Sequence, residues 1–259
     1  MTTSPAAADG LLGRQGFVHL PGPYARPADA WRAARHVVEA AHPAGPQLSV
    51  VGDFVIPPPD GPVARDFQAL HLDFGLPLNP RRPIDIARFT ALHVAEATPP
   101  TDAVTRLLPL RSLLRPGSVE REELLARLAR YGETHGAWDD DAGYTEGILA
   151  RIVEAALGGA PVLASVKTSA GFLCGTEFGS LADEVAFFAE RGIRLDRLGA
   201  EVCLQPGELL VFDNLALAHG RRGHRSPGEL HQRLFGYRSV PPADQAALRD
   251  RTLDELLHP

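Results

Sequence analysis

The chain has 259 residues, of which 44% are hydrophobic and 22% charged. This balance is typical of a globular protein with one large domain or two small ones, and it argues against a disordered or fibrous chain. The 32 acidic and 26 basic residues give a formal net charge of −6. Nucleic acid and anionic membranes are bound through basic surfaces, so neither is expected as the main partner.

Cysteine usage and the chain start predict where the protein works. The two cysteines, Cys174 and Cys203, do not form a CxxC pair, so we expect no disulfide framework and a reducing compartment. The first residues lack the charged head and apolar run of a signal peptide. No stretch approaches the roughly 18 apolar residues of a membrane helix. These features predict a cytoplasmic protein.

The first third of the chain predicts short strands and one helix. Residues 16–22 (GFVHLPG) indicate a strand that ends at Pro-Gly. Residues 27–42 (PADAWRAARHVVEAAH) indicate a helix with a proline near its start and an apolar stripe. Further strands are expected at 47–56, 67–73 and 84–95.

The middle of the chain is predicted to be helical, and the last part returns to strands. Residues 119–132 and 141–159 have helical apolar spacing and end in glycine, and a short helix is expected near 181–192. Residues 200–214 predict two strands of a hairpin around a Pro-Gly turn, and 232–240 predict another strand. Strands at both ends with helices between them favour an α+β chain with a mainly β core.

One polar pair interrupts an otherwise apolar strand candidate. In residues 67–78 (FQALHLDFGLPL), His71 and Asp73 are two positions apart. Side chains alternate along a strand, so this spacing places both on one face. Burying such a pair without compensation is costly. A metal ion is one candidate partner for the pair, and an ordinary hydrogen bond is the other.

A second group of polar residues lies far downstream. His219 follows the strand–turn VFDN, and Arg233 comes 14 residues later in another strand candidate. Two histidines and one carboxylate bind a non-haem ferrous ion on one face and leave the other positions open for a co-substrate and O₂. An arginine such as Arg233 suits the far end of a dicarboxylate co-substrate, because it binds a carboxylate in bidentate fashion.

Other readings of these residues remain. His224 and His231 are alternatives to His219 as the third ligand. The chain has no GxSxG elbow for a nucleophile, and no GxGxxG or GxxxxGK[ST] turn for a nucleotide. Nucleophilic catalysis and nucleotide folds therefore have no support from motifs.

The pattern His71-x-Asp73, His219 and Arg233 resembles that of the iron(II)- and 2-oxoglutarate-dependent dioxygenases, and is most similar to the taurine dioxygenase and clavaminate synthase-like branch. GFVHLPG resembles the opening strand of that family, PGELLVFDNLALAHGR its strand–turn before the distal histidine, and HQRLFGYR its arginine-bearing strand. The resemblance implies that His71, Asp73 and His219 are the metal ligands and catalytic centre, with Arg233 binding 2-oxoglutarate.

The resemblance also implies a fold and a further contact. The family fold is a double-stranded β-helix (jelly-roll, cupin-like) with helices outside; here it would form one domain over the whole chain, with a helical insert at about 106–159. The segment EATPPTDAVTRL resembles the stretch whose threonine contacts 2-oxoglutarate. Thr105 is the expected contact, with Thr101 or Thr98 as alternatives, although the Gly-Gly-Asp that usually precedes this threonine is absent.

The activity implied by the resemblance is oxidation of an unactivated C–H bond with Fe(II), 2-oxoglutarate and O₂, releasing succinate and CO₂. Hydroxylation of a small polar molecule, such as an amino acid or its derivative in specialised metabolism, is the expected outcome; desaturation or cyclisation is the alternative. Asp73 disfavours halogenation, because halogenating relatives replace this acid. A cupin-like metal hydrolase or isomerase and an inactive ligand-binding homologue are the other hypotheses.

Overall fold

A computed structural model of the chain describes residues 11–42, 47–56, 67–71, 73, 83–96, 102–109, 164–168, 171–175, 180–190, 194–223 and 229–257. Strands and helices within these ranges are numbered in chain order. No helix in them is long and apolar enough to cross a membrane.

The larger sheet, called the major sheet, has five antiparallel strands. In spatial order they are β1 (Phe17–Leu20), β9 (Leu209–Asp213), β4 (Ile84–Val94), β11 (Leu230–Val240) and β2 (Ser49–Ile56). The central strands β9, β4 and β11 are rich in β-branched and large apolar residues, which pack well on a pleated surface. Strand β9 is buried throughout and β4 along most of its length, whereas β11 also has intermediate and exposed positions.

The second sheet, called the minor sheet, has four antiparallel strands. In spatial order they are β3 (Phe67–His71), β10 (Leu217–Arg222), β5 (Val104–Pro109) and β8 (Ala200–Val202). A separate hairpin pairs β6 (Ala164–Thr168) with β7 (Gly171–Gly175).

The two sheets face each other across an apolar core. Their inner faces contribute these buried residues to one cluster: Leu92, Val94, Leu210 and Phe212 from the major sheet, and Leu107, Val202 and Leu217 from the minor sheet. Because side chains alternate along a strand, this cluster defines which positions of each strand point inward. The inner faces are the surfaces that meet at the candidate site.

The outer face of the major sheet is covered by helix α1 (Pro27–Ala41). Proline at the first turn suits a helix start, because its missing N–H has no partner there. The apolar stripe of α1, including Trp31 and Val38, packs against Phe89, Val211 and other outer-face residues. This second cluster confirms the helix and the apolar stripe predicted at 27–42.

Three more helices with both ends described are α2 (Leu181–Glu190), α3 (Leu195–Leu198) and α4 (Pro242–Leu257), and residues 11–15 are also helical. Glu184 of α2 is fully buried. Its carboxylate accepts a hydrogen bond from the Leu70 backbone N–H at 2.8 Å and pairs with Arg106 of β5. One carboxylate thus ties α2 to two strands of the minor sheet.

Two predictions from the sequence need correction. The strands around Pro206-Gly207 do not form a hairpin: β8 belongs to the minor sheet and β9 to the major sheet. The turn itself is present, and Gly207 has a φ of +84°, which favours glycine. The chain crosses between sheets here so that the apolar faces of both strands reach the shared core.

The helical insert predicted at about 106–159 does not begin at residue 106, because 106–109 belong to β5. Leu107 faces the inner core and Leu108 is buried on the opposite face, so burial on both faces favours a strand. The helices predicted at 119–132 and 141–159 lie outside the described residues.

Candidate functional site

Asp73 and His219 meet between the two sheets. The Asp73 Oδ2 and His219 Nε2 atoms are 3.4 Å apart, and the two residues are 4% and 6% exposed. Two ligands of one divalent ion can have this separation when each is at about 2.1 Å from the ion. The structure therefore brings together two predicted ligands that are far apart in sequence.

The third predicted ligand belongs to the neighbouring strand. His71 of β3 is directly opposite His219 in the β3–β10 ladder, and directly paired positions share a face of a sheet. The side chain of His71 is outside the described part of the structure. Among the described residues, no group of three His, Cys, Asp or Glu side chains that could hold a metal ion is formed.

Two donors from the major sheet hold the Asp73 carboxylate. Thr90 Oγ1 of β4 donates to Asp73 Oδ2 at 3.0 Å, and Gln232 Nε2 of β11 donates to the same oxygen at 2.6 Å. Thr90 is fully buried and Gln232 is 5% exposed. Donation to a buried carboxylate stabilises its charged form and fixes its orientation.

The backbone of Asp73 is held by the turn before β10. Asn214 accepts a hydrogen bond from the Asp73 N–H at 2.9 Å, and its Nδ2 donates to the Asp73 carbonyl at 2.6 Å. Asp213, beside it, accepts from the Leu215 N–H at 2.9 Å and from Arg88 Nη2 at 2.7 Å. This turn therefore positions Asp73 as well as leading into the strand that carries His219.

The ring of His219 packs on an apolar surface. Its centroid is 4.7 Å from that of Phe212, on the inner face of the major sheet. This contact shields the imidazole from bulk solvent. In such an environment, electrostatic interactions of Asp73 and His219 are stronger than in water.

Arg233 is not brought to this pair. Gln232 points to Asp73, and the next residue in the strand points the other way. The Arg233 guanidinium pairs with Asp53 of β2 and lies over the Trp31 ring, 4.8 Å from its centroid. Both contacts are on the outer face of the major sheet, so the position does not support Arg233 as the co-substrate anchor.

The structure describes some of the other residues that the sequence proposed for the site. Thr105 of β5 is directly opposite Arg221 of β10. Thr105 is on the inner face of the minor sheet, together with Leu107. His231 is on the outer face with Arg233, where its Nε2 atom is 3.2 Å from Glu229 Oε2. His224, Thr98 and Thr101 lie outside the described residues.

The sequence interpretation missed three residues that hold Asp73. The role of Asn214 could have been predicted, because an apolar strand ends in Asp-Asn immediately before the segment that carries His219. The roles of Thr90 and Gln232 could not, because only the facing sheet reveals the partner of each. The interpretation selected Arg233 and not its neighbour Gln232, because an arginine matches a dicarboxylate.

Comparison with known proteins gave no sequence-level match. No protein-family model matches the chain, and no curated protein matches it. Similar solved structures were found by fold alone.

PvcB from Pseudomonas aeruginosa, an Fe, alpha-ketoglutarate dependent oxygenase from an isonitrile synthetic pathway, is 17% identical; the alignment covers 91% of this chain and 82% of PvcB, with a TM-score of 0.47. A taurine dioxygenase from Burkholderia xenovorans is 14% identical over 92% of this chain and 83% of its own, with a TM-score of 0.43. Asparagine oxygenase is 13% identical over 91% and 78%, with a TM-score of 0.39.

The printed descriptions of PvcB and of the taurine dioxygenase name the kind of enzyme that the sequence motif resembles. With identities of at most 17% and TM-scores of at most 0.47 for these three structures, the alignments carry no argument about the activity of this chain. The inferences below rest on its own residues.

Proposed function

We propose that the protein is a non-haem Fe(II)- and 2-oxoglutarate-dependent oxygenase that oxidises a small polar molecule. The observation that carries the proposal is the buried Asp73–His219 pair, 3.4 Å apart, with His71 opposite His219 in the ladder. Two histidines and one carboxylate on one face are the ligand set of such an iron. In this proposal His71, Asp73 and His219 hold the metal.

The strand order supports a double-stranded β-helix as the scaffold. From β2 to β5 the chain alternates between the major and minor sheets, and from β8 to β11 it alternates again. This alternation interleaves two antiparallel sheets, as in jelly rolls. It also explains how one short strand, β3, and one distant strand, β10, become neighbours at the metal site.

When bound, the iron supplies the activation of O₂, with 2-oxoglutarate as the electron source, for oxidation of a C–H bond. The chain supplies donor atoms and their orientation. Thr90 and Gln232 hold one carboxylate oxygen of Asp73, and Asn214 holds its backbone. Phe212 covers one side of His219 and excludes water there.

The expected product is the hydroxylated form of an amino acid or a related molecule, with succinate and CO₂ released. Desaturation or cyclisation of the same substrate class is the alternative outcome. Both follow from the family resemblance of the motif, and neither depends on a described contact of the chain.

A second candidate is favoured by one observation. Arg233 is engaged with Asp53 and Trp31 on the outer face, which removes the predicted anchor for 2-oxoglutarate. A metal-dependent hydrolase or isomerase on the same scaffold needs the metal ligands but no such anchor. The two functions differ in whether 2-oxoglutarate binds.

Anaerobic titration of the metal-free protein with Fe(II) and then 2-oxoglutarate tests the proposal. The oxygenase should develop the visible charge-transfer band of an iron–2-oxo acid chelate. His219→Ala should lose the band, whereas His231→Ala, which removes an outer-face histidine, should keep it.

Iron binding without a band in the wild-type protein would favour the hydrolase or isomerase. A His219→Ala variant that binds iron and develops the wild-type band would contradict the proposed ligand set. Circular dichroism of both variants controls for loss of fold.

A further inference from the structure

A cleft of about 200 Å³ lies on the outer face of the minor sheet, which is the face turned away from the major sheet and the metal ligands. Helices α2 and α3 line one side of it, and strands β3 and β5 line the other. Its aliphatic side chains are Leu70, Leu108, Leu181, Val185 and Leu195. An apolar cavity of about 150 Å³ can hold benzene, so the cleft has room for a molecule of about one ring.

The aliphatic lining is buried at one end of the cleft and exposed at the other. Leu70 and Leu108 are each 2% exposed, whereas Val185 of α2 is 44% exposed. In the described part of the chain, only Val55 of β2 is a large hydrophobic residue with similar exposure, at 56%. Removing apolar surface from water is favourable. A ligand in the cleft would therefore gain free energy by covering Val185.

A buried arginine in the lining has a hydrogen-bond donor without a partner. Arg106 of β5 lines the cleft and is 8% exposed. Its Nη2 donates to Glu184 Oε2, whereas its Nη1 is buried and has no hydrogen-bond partner. Buried polar groups in proteins are nearly always hydrogen-bonded. Arg106, and not Glu184, lines the cleft, so Nη1 is a donor that a ligand there can use.

Two contacts hold this guanidinium in place. Glu184 binds Arg106 through one carboxylate oxygen and the Leu70 N–H through the other. The guanidinium carbon of Arg106 is also 5.8 Å from the centroid of the Phe67 ring. A ligand does not have to order a donor that is already fixed, which lowers the entropic cost of binding.

The charges around the cleft favour an uncharged ligand. Every charged residue that the structure describes in its lining already has a counter-charge, in the pairs Arg106–Glu184, Arg222–Glu201 and Asp196–Arg194. An anion would lose its hydration here without gaining an unpaired cation. An uncharged acceptor, such as a carbonyl oxygen, has a smaller desolvation cost and can still accept a hydrogen bond from Nη1.

We propose that this cleft binds a small, uncharged, mainly apolar molecule that carries a carbonyl or a similar hydrogen-bond acceptor. The apolar part contacts the aliphatic lining and covers Val185, and the acceptor oxygen accepts from Arg106 Nη1. The site is separate from the metal ligands, and the proposal does not depend on the oxidation proposed above.

NMR titration of the full-length protein with three one-ring probes tests the proposal. Acetophenone should shift the amide signals of cleft residues such as Leu70 and Leu108. Ethylbenzene has a methylene group in place of the carbonyl, and it should bind about 3- to 10-fold more weakly, which is the ratio expected for one hydrogen bond. Benzoate, which carries a negative charge at the same position, should also bind more weakly than acetophenone.

Two variants test the position of the site. Val185→Asp places a charge where the apolar part of the ligand lies, and it should weaken acetophenone binding by about 10-fold or more. Because Val185 is exposed, the change should not disturb the fold. Val55→Asp is the matched control, since it makes the same change at the other exposed valine, and it should leave the acetophenone Kd unchanged.

A third variant tests the donor. Arg106→Met is combined with Glu184→Gln so that no charge is left buried without a partner. This double variant should bind acetophenone and ethylbenzene equally, whereas a merely structural role of Arg106 predicts that both ligands weaken by the same factor and that the preference for acetophenone remains.

Four outcomes would overturn the proposal. They are equal affinities of the wild type for acetophenone and ethylbenzene, tighter binding of benzoate, amide shifts only outside the cleft, and an unchanged acetophenone Kd in Val185→Asp. These measurements decide the question even if the double variant does not fold.

Discussion

Gln232 and Arg233 are neighbours in β11, yet their side chains reach opposite faces of the major sheet. Gln232 donates to Asp73 between the sheets, and Arg233 pairs with exposed Asp53 on the outer face. On the inner face, polar groups from two strands and one turn converge on Asp73 of a single carboxylate–histidine pair. On the outer face, Arg233 and His93 have separate partners, Asp53 and the Glu208 carbonyl.

The difference teaches how to separate polar residues that serve a site from those that serve the fold. Thr90, Gln232 and Asn214 all contact one residue, Asp73. The outer-face groups contact different partners: His93 bonds to the Glu208 carbonyl, and Arg233 lies over Trp31. Convergence from several elements is the feature that marks the inner face as the functional one.

The largest expected effect is loss of the metal in Asp73→Ala. Removing a ligand should lower Fe(II) or Mn(II) affinity by more than about 100-fold, since removal of outer-shell partners alone costs about 10- to 100-fold. Asp53→Ala, which removes an exposed outer-face carboxylate, should leave metal affinity unchanged. Calorimetric metal titration measures both affinities. Equal metal affinities of the two variants would contradict the placement of the metal site on the inner face.

The next effect concerns stability and the outer face of the minor sheet. Glu184→Gln should cost about 3–5 kcal/mol of the free energy of unfolding, because it leaves the Arg106 cation buried without its counter-charge. Glu201→Gln should cost at most about 1 kcal/mol, because the Glu201–Arg222 pair is exposed. Urea denaturation of both variants checks this order; a smaller loss in Glu184→Gln than in Glu201→Gln would be inconsistent with the burial of Glu184.

A smaller effect distinguishes the two neighbours in β11. Gln232→Leu removes the 2.6 Å hydrogen bond to Asp73 and should weaken metal binding about 10- to 100-fold. Arg233→Leu should leave metal affinity within about threefold of wild type, since its contacts are on the other face. Reversal of this pattern would mean that the register of β11 differs from the one described.

The smallest effect is a pH dependence on the outer face. Burial lowers the pKa of His93, the hydrogen bond to the Glu208 carbonyl opposes this, and nearby His231 lowers it further. The unfolded chain therefore binds a proton more readily than the folded one. His93 should contribute no pH dependence above about pH 6.5, and stability should fall as the pH drops from there towards its folded pKa.

Urea denaturation at about pH 7.5 and about pH 5.5 measures this contribution. Wild-type protein should lose more of its free energy of unfolding than His93→Asn on acidification. His36→Asn, on the exposed surface of α1, is the control and should behave as wild type. An equal loss in wild type and His93→Asn would show that the buried ring does not govern this dependence.

Much of the fold was predictable because local patterns are strong where one face is buried. The helix at 27–42 and the strands near 47–56, 67–73 and 84–95 are present as predicted, with ends shifted by a few residues. Strand β5 was missed, because it is short and adjoins a Pro- and Thr-rich segment. The pairing of β8 and β9 was assigned wrongly, since a tight turn indicates a hairpin only when both strands remain in one sheet.

The sequence by itself determined that His71 and Asp73 are two residues apart and that a histidine follows the VFDN turn, although β3 ends at His71 and Asp73 lies beyond it. Only the tertiary structure decided what meets Asp73. Residues 231–233, His-Gln-Arg, are all polar, so alternation gives no preference for which of them faces inward. The register of β11 against β4 and β2, with Trp31 on one face and Asp73 on the other, places Gln232 at the site and Arg233 outside it.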